Sequence, residues 1–225
     1  MIRNRGRGRS GEDDEDFMID KPILITRDQS ISNTYTVFFD DVLAEAANYS
    51  NLLTFLSSAT EQDIFVFRFI GCPGGDLNVA LPIYNAIRNT PAQTVSVLES
   101  HSCSAATMLF LASDNYVVQP GATMMVHGAS YGNRGHMSYM RSSVNFSEKH
   151  IRGIFERVYK GFLTQQEIDH LLTTDYDMNL MEEEIVERLQ KMAEASEAKV
   201  VEAEAPQKPV EPKKPSRATK ARNKE

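Results

Sequence analysis

The sequence predicts an α/β protein assembled from β-α-β units, and three observations carry that prediction. The run Ile64-Phe65-Val66-Phe67-Arg68-Phe69-Ile70 is apolar at nearly every position, as expected when helices cover both faces of a parallel sheet. A second strand-like run at 94–98 follows a segment of helical spacing in which Leu81, Tyr84 and Ile87 share one side. Turns rich in glycine or serine, Gly71-Cys72-Pro73-Gly74-Gly75 and Ser100 to Ser104, lead from strand to helix, with right-handed crossovers expected.

The elements follow in order. Ile23-Leu24-Ile25 is a short strand and Thr34-Tyr35-Thr36-Val37-Phe38-Phe39 a stronger one. Asp40 or Asp41 caps a helix in which Val42, Leu43, Ala46, Ala47, Leu52, Leu53 and Leu56 recur to about residue 58. After the strand at 64–70, Asn78 is the expected cap of a helix over 79–88, with Pro82 tolerable only near its start. An apolar helix over 105–112 follows Ser104, and strands at 116–118 and 123–126 flank Pro120-Gly121. A loop at 128–135, a long helix at 137–162, a shorter one at 165–172, a polar turn at 174–180 and an amphipathic helix at 181–198 complete the pattern.

The totals bound the function. A chain of 225 residues, 41% apolar and 24% charged, suits one soluble domain with tails. No apolar run approaches the roughly 18 residues of a membrane span. The net charge of −7 argues against nucleic acid as a partner. The N-terminus carries Arg3, Arg5, Arg7 and Arg9 but no apolar core, so it does not read as a secretory signal. Charge is segregated at the ends: these arginines precede Glu12-Asp13-Asp14-Glu15-Asp16, and an acidic stretch over 182–204 precedes a lysine-rich tail with Pro206, Pro209, Pro212 and Pro215 at every third position. Such blocks are solvated, and the proline spacing favours extended geometry. Cys72 and Cys103 are expected to be free thiols in a reducing cytoplasm, and no histidine pair has metal-ligand spacing, so no metal or cofactor is expected.

What chemistry remains is that of a serine. A serine hydroxyl is a weak nucleophile until a base takes its proton, and a histidine held by a carboxylate is suited to that work. The chain offers Ser104 at a strand-to-helix turn, His127 at a strand end, and Asp175 and Asp177 later on. No lysine occurs between Lys21 and Lys149, which leaves His127 as the better base. The backbone N–H groups of Gly75 and Ala105 are candidates to cradle an oxyanion, each such donor being worth about 3–4 kcal/mol in a transition state. Cys103 is a minor alternative nucleophile. His101 lies near the site, whereas His136, His150 and His170 are expected at the surface.

These residues resemble the Clp protease proteolytic subunit family, serine peptidases on a crotonase-like fold. Cys72-Pro73-Gly74-Gly75 is similar to the family's Ser-Pro-Gly-Gly turn, followed by Pro82-Ile83-Tyr84. Residues 100–106 stand where the family has Gly-Gln-Ala-Ala-Ser-Met-Gly, and Met124-Met125-Val126-His127 resembles Val-Met-Ile-His. Asp175-Tyr176-Asp177-Met178-Asn179-Leu180 resembles Arg-Asp-Arg-Phe-Leu. The resemblance implies a β-α-β superhelical core with a protruding helical handle, a triad of Ser104, His127 and Asp177 with Asp175 as fallback, and an oxyanion hole at Gly75 and Ala105. It also implies a peptide or protein substrate, a homo-oligomer of one or two heptameric rings interlocked through the helix at 137–162, and an AAA+ unfoldase as partner. The implied organisation is a charged arm at 1–20, a peptidase domain at 21–181, an acidic amphipathic helix at 182–200 and a basic tail at 201–225.

Departures keep two rivals in view. Ser100 and Ala106 replace glycines around the serine, Ser102-Cys103 replace Ala-Ala, His127-Gly128 replaces His-Gln-Pro, and a charged helix replaces the closing Gly-Leu-Val-Asp strand. The N-terminal arm does not resemble the family's axial loops. The rivals are a catalytically silent ring or scaffold component and a crotonase-type enzyme acting on acyl-coenzyme A. Drift with added tails is similar to phage-encoded members, some of which mature capsids; the setting would then be a host cytoplasm or a virion precursor.

Overall fold

The computed structural model describes residues 25–29 and 33–204. The arm at 1–20, residues 23 and 24 of the expected first strand, and all of the tail beyond 204 lie outside the described residues. Among the described residues the elements are β1 (Ile25–Gln29), β2 (Asn33–Phe39), a 3-10 turn (Ala46–Tyr49), α1 (Ser50–Ser58), β3 (Ile64–Phe69), α2 (Leu77–Asn89), β4 (Gln93–Leu98), β5 (His101–Cys103), α3 (Ala105–Phe110) and β6 (Asn115–Val118). They continue with β7 (Thr123–His127), α4 (Met137–Val158), α5 (Gln165–Thr173), β8 (Asp177–Met181) and α6 (Glu182–Glu204).

This is the predicted α/β architecture, built on two sheets. The larger runs β1-β2-β3-β4-β6, parallel throughout except for β1. The smaller runs β5-β7-β8, with β5 parallel and β8 antiparallel to β7. Period-two burial in β2 and β3 sends Tyr35, Val37, Phe39, Phe65, Phe67 and Phe69 to one face, and the parallel register sets Tyr35 beside Phe65 and Phe39 beside Phe69. Their rings stack at 4.7 and 5.0 Å between centroids, and Phe110 of α3 meets Phe69 edge-on at 5.7 Å. Pairs of this kind contribute about 0.5–1.5 kcal/mol beyond area burial. Polar residues on the buried face of β4 are satisfied: Thr94 exchanges hydrogen bonds with Asp114, and Ser96 Oγ lies 2.8 Å from Ser113 Oγ.

Three expectations are corrected. The helix expected from Asp40 or Asp41 begins later, because Leu43 is held extended: its N–H donates to Gly74 O and its carbonyl accepts from Asp76 N, both at 2.8 Å. α2 is capped by Asp76, whose Oδ1 accepts from the Asn78 N–H at 2.8 Å, so Asn78 is already helical. Pro82 therefore sits inside α2, where it removes the bond that would run to the Asn78 carbonyl. Finally, the stretch read as a polar turn contains β8. Met178 and Leu180 point into the core while Asp177, Asn179 and Met181 face outward, the alternation of an edge strand.

The helical half is pinned at its base. α4 buries Ile154, Phe155 and Val158 near its C-terminus, whereas Met137, Tyr139 and Phe146 in its first turns stand 76%, 57% and 69% exposed. The exposed portion is the protruding handle. α6 docks through buried Ile185 and Leu189, and Arg188 spans to α5 with Nη2 2.6 Å from Glu167 Oε1 and Nη1 donating to Phe162 O at 3.0 Å.

Candidate active site

The C-terminal ends of β3, β5 and β7 bring the glycine turn, the serine turn and the histidine together, as strand ends in open α/β sheets do. After β3 the chain passes through Gly71 to Gly75, and Cys72 pairs as an isolated bridge with Ser102. Gly74, at φ +90°, lies directly against the serine turn: a Cβ there would be 2.5 Å from Cys103 O and 2.8 Å from Ala105 N. Gly75 is clamped equally tightly to Leu43, whose backbone a Cβ would meet at 2.5 Å. Only glycine permits these approaches.

Ser104 stands between β5 and α3 at φ +52°, ψ −127°, the one non-glycine residue at positive φ among the described residues. Strain of this kind costs about 1–3 kcal/mol and persists only where surrounding bonds enforce it. Here they do: Ser104 N–H donates to Met125 O at 2.8 Å, and its carbonyl accepts from Thr107. The sharp turn lifts the side chain clear of the sheet, and Ser104 Oγ lies 2.8 Å from His127 Nε2. That is hydrogen-bond distance, and with the ring proton on Nδ1 the hydroxyl would be the donor to Nε2.

The structure places the acids differently. Asp177 is the cross-strand partner of His127 in the β7–β8 pairing, and it is exposed. Asp175 lies on the preceding turn and lines, with His127, Arg152 and Tyr176, a second cavity of about 820 Å³. Among the described residues no carboxylate hydrogen-bonds His127, whose side-chain partner is Ser104. The structure thus brings Ser104 and His127 together and sets Asp177 opposite His127 across the β7–β8 pairing.

A cavity of about 580 Å³ opens beside Ser104. Met108, Ile154, Phe155 and Tyr159 form its apolar floor, and Gly75 and Ala105 border it. Neither the Gly75 nor the Ala105 N–H donates to a backbone acceptor among the described residues, the latter because it opens α3. His150 is exposed as expected, yet it also lines this cavity and stacks on Phe146 at 5.8 Å. His101 packs against Gly71 on the far side of the turn, and His136 and His170 are exposed and line no part of this cavity.

The thiols are quiet. Burial pushes the Cys72 thiol up to about 11, and its Sγ donates to Asp41 O at 3.2 Å. Burial also raises Cys103, which is half-buried beside Ser104. Among the described residues no group of three or more His, Cys, Asp or Glu side chains is arranged to hold a metal ion, and no helix is long and apolar enough to cross a membrane.

Sequence reasoning missed Thr107 and Tyr159, which read as ordinary helix residues. The signal available was a threonine one turn into an otherwise apolar helix, three residues after the serine.

The Clp protease family model matches residues 23–194. The chain is also 31% identical over 88 residues to a protein described as the ATP-dependent Clp protease proteolytic subunit of Deinococcus radiodurans. That alignment covers 38% of this chain and 42% of the relative, so it spans less than half of either. The family match takes in both sheets and all of the residues around Ser104 and His127, and the chain belongs to the Clp protease family.

Proposed function

We propose that the protein is a serine endopeptidase that hydrolyses peptide bonds with Ser104 as nucleophile, His127 as general base and Asp177 as the residue that orients His127. The observation that carries this reading is the 2.8 Å contact between Ser104 Oγ and His127 Nε2 on a strained strand-to-helix turn. Ser104 Oγ attacks the carbonyl carbon while its proton passes to His127 Nε2. The negative charge that develops on the carbonyl oxygen is met by the N–H groups of Gly75 and Ala105. Collapse expels the amine, which takes the proton from His127, and water then repeats the sequence on the acyl-serine.

The apolar floor of the adjoining cavity suits an apolar side chain of an extended peptide. The exposed Met137, Tyr139 and Phe146 on α4 support a homo-oligomer, in one heptameric ring or two, that encloses the site as a chamber. In that reading the peptidase domain occupies 21–181, and the charged arm at 1–20, the helix at 182–200 and the tail at 201–225 serve an AAA+ unfoldase partner or a phage capsid substrate.

The test is fluorophosphonate labelling of the purified oligomer with peptide mapping, beside turnover of fluorogenic peptides. A single adduct on Ser104, with turnover abolished in Ser104→Ala, supports the peptidase. A folded, assembled protein that takes no adduct supports a silent ring or scaffold component instead, a reading favoured by the lack, among the described residues, of a carboxylate bonded to His127. An acyl-coenzyme A enzyme is disfavoured, because the cradle alone would serve it and the Ser104–His127 contact would have no task.

A further inference from the structure

Thr107, in the first turn of α3, is fully buried, and Tyr159, where α4 ends, is 2% exposed. Hydroxyls so placed are satisfied within the protein. Thr107 Oγ1 lies 2.7 Å from the Ser104 carbonyl oxygen and 2.6 Å from Tyr159 Oη. A carbonyl only accepts, so the single Thr107 hydroxyl proton goes to Ser104, and Tyr159 is then the donor to Thr107. The chain of bonds runs one way, from Tyr159 Oη through Thr107 Oγ1 to Ser104 O. The Thr107 backbone N–H adds a second donor to the same carbonyl at 3.0 Å.

That carbonyl belongs to the peptide joining Ser104 to Ala105. In a trans peptide the C=O and N–H point in opposite directions. Two donors that hold Ser104 O toward the inside of α3 therefore hold the Ala105 N–H toward the cavity, which Ala105 and Tyr159 both line. A plain helix start needs only the backbone bond; a side-chain bond to a carbonyl three residues back brings a helix little net gain. The buried hydroxyl pair is explained by the strained elbow that it holds.

We infer that Thr107 and Tyr159 are positioning residues for the hydrolysis proposed above, fixing the Ser104–Ala105 peptide so that the Ala105 N–H aims at the developing oxyanion. The inference rests on Ser104 being the nucleophile. Neither residue touches the reacting atoms; both act through the peptide plane.

The experiment compares the full chain with Thr107→Val, Thr107→Ser and Tyr159→Phe, reading Tm, the rate of fluorophosphonate labelling at Ser104, and kcat and KM on a short fluorogenic peptide with an apolar residue before the scissile bond. Thr107→Val and Tyr159→Phe are expected to assemble and to lower both kcat and the labelling rate by about tenfold, with KM within about twofold, a fraction of the loss seen when an oxyanion donor is deleted outright. Thr107→Ser keeps the hydroxyl and is expected to stay within about twofold of wild type throughout. A merely structural role would lower Tm without this split. Wild-type kcat in Thr107→Val, or a Thr107→Ser variant as slow as Thr107→Val, overturns the inference while leaving the peptidase intact. If Thr107→Val does not fold, Tyr159→Phe, which removes one oxygen atom, decides by the same criteria. Absence of any Ser104 adduct in wild type would remove the nucleophile itself, and this inference with it.

Discussion

His127 and Asp177 face one another across the antiparallel pairing of β7 and β8, on the outward side of the small sheet. Directly opposed residues of such a pair have Cβ atoms about 4.5–5.5 Å apart, within reach of a carboxylate for an imidazole nitrogen. Asp175 lies two residues earlier, before the strand begins, and has no such partner position. Asp177→Asn is therefore expected to lower kcat by at least about a hundredfold, through loss of the tautomer that leaves Nε2 free to accept. Asp175→Asn is expected to stay within about threefold. Parallel kinetics of the two variants on one peptide check this, and equal losses would contradict the assignment.

The close approach of Gly74 to the serine turn makes a second prediction. Gly74→Ala combines a φ of +90° with a Cβ 2.5 Å from a backbone oxygen, so both strain and overpacking apply. Together these are expected to destabilise the fold by roughly 2–4 kcal/mol, read from urea midpoints. Gly121→Ala is the control. Gly121 also has positive φ, at +79°, but nothing lies within 4 Å of an added Cβ, so only the conformational term of about 1–2 kcal/mol remains.

The core of this fold was legible in the sequence because its signals are local. The apolar run at 64–70 and the glycine turn after it identify β3 and the loop that cradles the site. Ser104 and His127 were legible as residues at element junctions. β8 was not, since its inward residues are only Met178 and Leu180, and two apolar positions among acids and asparagine read as a turn. The start of α1 was misplaced for a different reason: Leu43 follows the helical spacing, yet its backbone pairs with Gly74 and Asp76, partners distant in sequence. The Tyr159–Thr107 bond, which joins residues 52 apart, was beyond local reading for the same reason.

The thiol beside Ser104 yields a third prediction. Cys103 and Cys72 are both held above the usual thiol range by burial, Cys72 at about 11, so few thiolates exist near neutral pH. Iodoacetamide at pH 7.5 is expected to modify Cys103 slowly and Cys72 more slowly still, followed by mass mapping. Because His127 contacts Ser104 Oγ and not the neighbouring sulfur, Cys103→Ala is expected to retain kcat/KM within about threefold. A loss comparable with that of Ser104→Ala would move the nucleophile to the sulfur.

The attachment of α6 predicts a specific acid sensitivity. Glu167 caps α5 by accepting from Thr164 N–H at 2.7 Å, and it pairs with Arg188 of α6 at 2.6 Å. The Arg188 guanidinium is the main cause that lowers the Glu167 carboxyl from 4.5 to about 2, with the Thr164 bonds adding to it. A carboxyl whose folded value is depressed binds its proton more tightly when unfolded. Its stabilising contribution is therefore complete above about pH 4.5 and is lost as pH falls toward 2. Glu167→Gln is expected to flatten the decline of stability across that window and to lower stability at pH 7 by roughly 1–2 kcal/mol, the sum of a helix cap and a half-buried ion pair. Urea unfolding of wild type and variant from pH 2.5 to 7 measures both. Parallel curves over the whole range would show that Glu167 is not the group responsible. Arg188→Met, which keeps the packing stem over Phe162 and removes the charge, is expected to shrink the decline and to end it at a higher pH, because the folded carboxyl then returns toward its ordinary range while the unfolded value is unchanged.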